Sequence, residues 1–300
     1  MRKGFKPKPF LKWLGGKATQ AEQIVSYFPE DGYSYFEPFL GGGAVFFEAF
    51  WREMIGGSAR LSDVNGELVT AWKGVGSDFR RVLAFVEDLF VDSLEFYNRL
   101  RAFDPTEADE VFVAARMIWL NRMCFNGLYR TNKAGGFNAT YAPPEKRSKG
   151  SGLVNIERVL KGAAFALAET KADLMTEPFE KALYGYEIPD PEEGDLVYLD
   201  PPYDGTFDRY ASGGFGDDDQ LDLRDVFARL SGDGVAVVET NSDTPLIRDL
   251  YSEIPGVFFV ETRGRRSVNR EGSGRRKATD LIILGGASAE IARERGEKSV

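Results

Sequence analysis

With 300 residues, 43% of them apolar, the chain is long enough for one large core or two smaller ones. A single cysteine (Cys124) and no histidine exclude a disulfide framework and any metal site built from Cys and His, so no metal is expected. Acid–base chemistry falls to carboxylates, lysines or tyrosines.

The net charge of −9 speaks against a polyanionic partner, but the charge is segregated. Residues 1–20, 116–149 and 263–277 each carry a net +6, which leaves −27 on the rest. That pattern places a basic face on an acidic body, or else scatters solvated charge over the surface. The N-terminus lacks the apolar run of a signal peptide, and no stretch approaches the roughly 18 apolar residues of a membrane helix. The expectation is a soluble, cytoplasmic chain with no membrane partner, a monomer being favoured.

In chain order, 33–39 reads as a strand ending in Pro and Gly, and 44–54 as a helix. Residues 60–64 form a short strand, with a helix from 67. The stretch 80–170 is helix-rich, with helical spacing over 80–90, 92–103 and 107–123, followed by a basic loop rich in Gly and Asn. Strands return at 173–177, 196–200, 235–240, 257–260 and 280–284. Thr244 followed by Pro245 starts a helix, with Thr as cap and Pro in the first turn. Strands alternating with helices predict an α/β fold, doubly wound around a mostly parallel sheet. The last two strands, joined by a loop, are expected as an antiparallel edge. Residues 1–79 and 171–290 form the expected main domain and 80–170 an inserted helical subdomain. The tails 2–9 and 287–300 are expected to fray.

Two segments carry chemistry. Glu37-Pro38-Phe39-Leu40-Gly41-Gly42-Gly43 runs from a strand end through a glycine turn into a helix, where backbone can approach a ligand and the helix N-terminus suits an anionic group. Asp63 follows Gly43 by 20 residues, at the end of the next strand, a distance at which acids bind ribose hydroxyls. Read alone, these residues also fit an ordinary tight turn and an N-cap aspartate. The second segment is Asp200-Pro201-Pro202-Tyr203, directly after the apolar strand LVYL. Its prolines remove two N–H donors, so their carbonyls can serve as acceptors beside the Asp200 carboxylate, and Tyr203 adds a flat apolar face. Acceptors beside an aromatic platform suit a planar amino group such as that of adenine. The bland reading is a rigid turn that ends a strand.

DPPY together with the glycine turn resembles the signature of amino-methyltransferases of nucleic-acid bases. FLKWLGGK (10–17), FEPFLGGGAVFF (36–47), LSDVN (61–65), FNGLYR (125–130), GGFN (135–138), LVYLDPPY (196–203) and the Arg-rich stretch before ATDLIIL (278–284) stand in the order of the Dam family of DNA adenine-N6 methyltransferases. The resemblance covers nearly the whole chain. It implies a seven-stranded Rossmann-like methyltransferase sheet, S-adenosylmethionine as cofactor and double-stranded DNA as partner.

By this resemblance Trp13, Lys17, Glu37, Pro38, Phe39, Gly41, Gly43, Asp63, Glu177, Phe179 and Asp200 border the cofactor. Asp200, Pro201, Pro202 and Tyr203 form the catalytic pocket. Residues 80–170 are the target-recognition part, in which Asn126 and Arg130 contact DNA and Phe125 and Leu128 pack on bases. Asn132, Lys133, Asn138, Arg265, Arg266 and Arg275 complete the expected DNA contacts, and Arg122 is a further phosphate candidate. The loop departs from the family pattern: Gly136 stands where many members carry an acid, and Ala139-Thr140-Tyr141 follows Phe137-Asn138. GATC is therefore the leading expectation for the site, with a different or relaxed site as its rival. Another acceptor on the same fold (an RNA adenine, cytosine N4 in DNA or a protein amide) and a non-catalytic DNA-binding relic are the alternatives. Asp217-Asp218-Asp219 reads as a mobile loop over the pocket or as a solvated acidic loop.

Overall fold

The computed structural model describes residues 5–88, 91–106, 108–127, 129, 137–147, 155–185, 189–204, 215–262 and 280–300. The chain runs α1 (Ala21–Val25), β1 (Tyr35–Glu37), α2 (Ala44–Trp51), β2 (Ala59–Ser62), α3 (Gly66–Asp88), α4 (Leu94–Ala102), α5 (Glu110–Met123) and α6 (Ile156–Glu169). It continues through β3 (Asp173–Met175), α7 (Phe179–Tyr184), β4 (Leu196–Leu199), α8 (Asp217–Gly232), β5 (Ala236–Ser242), α9 (Pro245–Ser252), β6 (Phe258–Glu261), β7 (Asp280–Gly285) and α10 (Ala287–Glu294).

Side chains of a strand alternate between the two faces of its sheet. Leu196 and Tyr198 of β4 therefore enter one core, with α1, α2, α3, α5 and α6, while Val197 and Leu199 enter a second, with α7, α8 and α9. A sheet covered on both faces needs strands that are apolar throughout, and LVYL is buried at every position. The sheet has seven strands in the order β3-β2-β1-β4-β5-β7-β6. β3, β2, β1, β4 and β5 pair in parallel, and β7 runs antiparallel to both its neighbours. The doubly wound, mostly parallel sheet is as expected, and so is the antiparallel edge formed by its last two strands. Within that edge β7 lies between β5 and β6, the antiparallel return from β6 filling the place beside β5.

The strand order reverses between β1 and β4. The chain winds outward from β1 through β2 to β3, then returns to place β4 against the free side of β1. Loops leaving the carboxyl ends of β1 and β4 diverge there and leave a crevice, where open α/β sheets bind ligands. The glycine turn and the Asp-Pro-Pro-Tyr loop are those two loops.

The expected boundary at residue 79 falls inside α3, one residue past its break at Asp78 (φ −154°, ψ 77°). Helices α5 and α6 pack on α3 and share its core. Helix α5 is buried on nearly all sides, and its Arg116 is buried too. The Arg116 guanidinium pairs with Glu67 at the start of α3 and donates to the carbonyls of Leu100, Arg101 and Phe103, which caps the end of α4.

The tails do not fray where they are described. Arg158 lies over the Phe5 ring, Pro7 is buried, and α10 buries Ser288, Ala289 and Ala292. Beyond α10, the Phe259 N–H donates to Ser299 Oγ (3.0 Å) and the Val300 N–H to the Phe259 carbonyl (3.2 Å), which covers the open edge of β6. Alanine-rich helices carry little hydrophobic signal, which is why this one reads as a tail. Nor are the three acids a loop: they open α8, where Asp219 accepts the Gly216 N–H at 2.7 Å. Acids in a first turn face the positive end of the helix dipole. Among the described residues no helix is long and apolar enough to cross a membrane.

Candidate active site

Asp200 leaves the end of β4 into the crevice, and its carboxylate is held from two sides. Lys17 Nζ lies 2.7 Å from Oδ1 and 2.8 Å from Oδ2. Thr240 Oγ1, on the neighbouring strand β5, donates to Oδ1 at 2.8 Å and bonds Tyr198 OH at 2.9 Å. Lys17 is only 6% exposed, and a buried ammonium needs partners for its three donors. It finds them in Asp200 and the Gly15 carbonyl (2.7 Å), and it sits 4.7 Å from the centre of the Tyr203 ring. Lys17, expected only at the cofactor's border, thus bonds the acid of the DPPY loop.

The loop is braced from below. Gln220 of α8 donates to the Pro202 carbonyl at 3.0 Å. Asn241 of β5 donates to Gln220 and to Glu239, both at 3.1 Å, while its oxygen accepts the N–H groups of Ser242 (2.8 Å) and Asp204 (3.3 Å). Ser242 and Thr244 hold Asp204 by its carbonyl (2.9 Å) and its carboxylate (2.6 Å). Glu239 is fully buried and accepts from Tyr251 OH at 2.6 Å. Burial, reinforced by the charge of Asp200, pushes its carboxyl up to about 8.

On the β1 side, the glycines are required by geometry. Gly41 has φ +47°, and a side chain there would collide with the Trp13 indole, 2.7 Å from an added Cβ. Gly43 caps α2 at φ +65°, with Trp72 equally close. The Gly41 N–H donates to Asp63 Oδ2 (3.0 Å) and the Asn65 N–H to Oδ1 (2.9 Å). Burial raises the Asp63 carboxyl above its usual range. Glu37, buried beside Pro38, accepts from Tyr35 OH (2.7 Å) and the Phe46 N–H (3.2 Å), both on Oε2. Burial is the main reason that its carboxyl rises to about 8, and Asp200 adds to it. Phe39 stacks on Phe179 at 5.6 Å, and Ser62 ties Glu177 to β2 through Oγ (2.7 Å to its carbonyl).

These residues fit the implied S-adenosylmethionine. Each Asp63 oxygen holds one backbone donor, and a carboxylate has about four acceptor sites, so two remain for a ribose diol. The glycine turn, where Gly41 and Gly43 leave no room for a side chain, brings backbone against Asp63, and Phe39, Phe179 and Trp13 supply apolar faces.

The expected DNA contacts begin at the end of α5. Phe125, 46% exposed, and Asn126, exposed with φ +59°, point outward. Phe125 and Thr140 pair through backbone at 2.8 Å, and so do Ala142 and Met123 at 2.9 Å, which forms the base of a hairpin; Asn138 is exposed. Beneath it, buried Asn121 accepts the Lys12 N–H (2.9 Å) and donates to the carbonyls of Lys12 (3.0 Å) and Gly127 (2.7 Å). Tyr129 stacks on Trp13 at 4.8 Å and reaches Glu67 with its hydroxyl at 3.3 Å. Arg122, the further phosphate candidate, is half-buried and donates to the Phe10 carbonyl at 3.4 Å. Leu128, Arg130, Asn132, Lys133, Arg265, Arg266 and Arg275 lie outside the described residues.

Thr240, Gln220, Glu239 and Asn121 were not singled out from sequence. The one signal was ETNSDT, a polar run that closes an apolar strand. Among the described residues no group of three or more Cys, Asp or Glu side chains is placed to hold a metal ion.

Residues 13–267 match the family profile described as D12 class N6 adenine-specific DNA methyltransferase. The chain is 33% identical to the type II methyltransferase M1.LlaDCHI of Lactococcus lactis subsp. cremoris, over 92% of this chain and 94% of that protein. It is 30% identical to a DNA adenine methylase of Vibrio cholerae, over 93% and 96% of the two chains. The retron Ec67 DNA adenine methylase of Escherichia coli is also 30% identical, over 92% and 91%.

Proposed function

The chain belongs to the D12 class N6 adenine-specific DNA methyltransferases, and from that premise we propose that it methylates N6 of an adenine swung out of duplex DNA, with GATC the leading site. Membership and the Rossmann-like sheet imply S-adenosylmethionine, which when bound supplies an electrophilic methyl group. Glu37, Pro38, Gly41, Gly43 and Asp63, with Trp13, Phe39, Glu177 and Phe179, would hold it. Residues 80–170 would serve target recognition, offering Phe125, Asn126 and Asn138 to the duplex.

The observation that carries this reading is the Asp200 carboxylate, fixed by Lys17 and Thr240 at the switch point beside the glycine turn. The amino nitrogen of adenine shares its lone pair with the ring and is a poor nucleophile. Two acceptors, Asp200 and the Pro201 carbonyl, draw its protons and favour a nitrogen whose lone pair is localised. Asp200 Oδ1 already holds Lys17 and Thr240, whereas Oδ2 holds Lys17 alone, which leaves Oδ2 the open acceptor. As methylation makes the nitrogen positive, the carboxylate stabilises it without reorganising. An adenine inside the helix cannot reach this corner, so extrusion is required, and its cost of a few kcal/mol is offset in part by the Tyr203 ring.

The test is transfer of labelled methyl from S-adenosylmethionine to duplexes that differ only in GATC or a scrambled site, read by nucleoside analysis. N6-methyladenine confined to GATC is expected. N6-methyladenine at other sites would show that the altered loop after Phe137 reads another sequence. No methyladenine in any DNA would overturn the proposal and turn attention to RNA or protein acceptors.

A further inference from the structure

The mechanism above makes no use of Gln220. Its side chain, 2% exposed, comes from the first turn of α8 and ends on the Pro202 carbonyl. Its orientation is dictated. Backbone N–H groups can only donate, so Asn241 must turn its oxygen to Ser242 and Asp204. The Asn241 NH2 therefore faces Glu239 and Gln220, and the Gln220 oxygen must face Asn241. That leaves the Gln220 NH2 for Pro202. The chain of amides is anchored on backbone at both ends, so each has one permitted orientation.

This matters because the loop offers two successive prolyl carbonyls, and an amino group needs one of them. The proline rings lock φ at both positions, so few soft dihedrals remain. A hydrogen bond to the Pro202 carbonyl removes one of them, the ψ of Pro202, which also sets where Tyr203 stands. We propose that Gln220 is a positioning residue: it occupies the Pro202 carbonyl and so leaves the Pro201 carbonyl, with the Asp200 carboxylate, as the acceptor pair for the amino group. This rests on the methyltransferase reading above. Gln220 touches no substrate and acts only through the loop.

The test compares wild type, Gln220→Leu and Gln220→Glu in single-turnover transfer of labelled methyl to an adenine-containing duplex, between about pH 6 and 9. Thermal melting and S-adenosylmethionine affinity are measured alongside. Gln220→Leu frees the carbonyl and lowers the transfer rate about 10- to 100-fold, the range expected for a misplaced reacting group. Gln220→Glu keeps the shape and the acceptor for Asn241, but only its protonated form can donate to Pro202. The titratable groups on the surrounding elements are Glu239 on β5, Asp200 and Asp204 on the loop after β4, Tyr251 on α9, and Asp219 and Arg224 on α8. Burial among these acids raises the titration of the introduced carboxyl into the range assayed. The rate of Gln220→Glu relative to wild type therefore recovers as pH falls, while cofactor affinity stays near that of wild type; melting is compared only to choose temperatures at which every variant is folded. Transfer at the wild-type rate in both variants would overturn the proposal. So would a pH-independent ratio for Gln220→Glu, or a loss that follows weakened cofactor binding. If wild type methylates no adenine, the functional reading fails and takes this role with it; an active wild type with unaffected variants sinks the positioning role alone.

Discussion

Around Asp200, polar side chains find their partners inside the protein. Lys17 and Thr240 hold the carboxylate, Gln220 holds Pro202, and Asn241 links that contact to buried Glu239. At Phe125 and Asn126 the side chains face outward, and the order lies beneath them, in Asn121, Tyr129 and Trp13. On the proposed reading the two regions differ as catalysis and recognition differ. A group that must meet developing charge gains from being fixed before the substrate arrives. A group that must fit a duplex gains from an exposed tip on a firm base.

This contrast makes the effects separable. The largest is expected at Asp200. Asp200→Ala would strand the buried Lys17 ammonium and destabilise the fold, since removing one partner of a buried pair is costly. Asp200→Asn retains an acceptor for Lys17 and Thr240 but lacks the charge. Its transfer rate is expected to fall by about 10²–10³-fold or more, read in single turnover. Loss of DNA affinity in step with rate would blur the division.

Asn121→Ala comes next. It removes the hydrogen bonds to the Lys12 backbone and to the buried Gly127 carbonyl, and a buried group that loses its bond costs about 1–3 kcal/mol. Denaturant unfolding should register that loss, and DNA affinity should weaken because the base under Phe125 loosens. Unchanged stability would show that the edge needs no such support.

Much of the site was legible because its motifs are local. LVYL is apolar on both faces and runs straight into Asp200, and Gly41 and Asp63, read only as spaced residues, meet through one hydrogen bond. The rest depends on which strands become neighbours. Nothing in the apolar stretches of β6 and β7 says that β7 lies beside β5. Gln220 and Asn241 look like surface polar residues until β5 and α8 close on the same loop. Lys17 and Asp200 stand 183 positions apart, and only the sheet brings them together.

Phe125→Ala should leave the fold intact, because the ring is exposed, and weaken DNA binding by about 1–3 kcal/mol if the ring stacks on a base. Fluorescence anisotropy with a duplex would measure it, and unchanged affinity would remove Phe125 from the interface.

A further effect concerns the acids behind the site. Glu37 and Glu239 titrate near 8 in the folded chain against 4.5 ordinarily, chiefly through burial. The folded state therefore keeps protons that the unfolded state releases between those values. Their contribution is full below about 4.5 and is lost as pH rises through about 8. Melting temperature should decline over that window, less so in Glu239→Gln. A melting temperature that rises with pH there would contradict the assignment.

The most direct measurement sets wild type beside Asp200→Asn at saturating DNA and S-adenosylmethionine, following binding of both and the appearance of N6-methyladenine. Binding near that of wild type with almost no methyladenine is the result predicted for a corner that acts on the methyl-accepting nitrogen. Methyladenine formed by Asp200→Asn at the wild-type rate would contradict it.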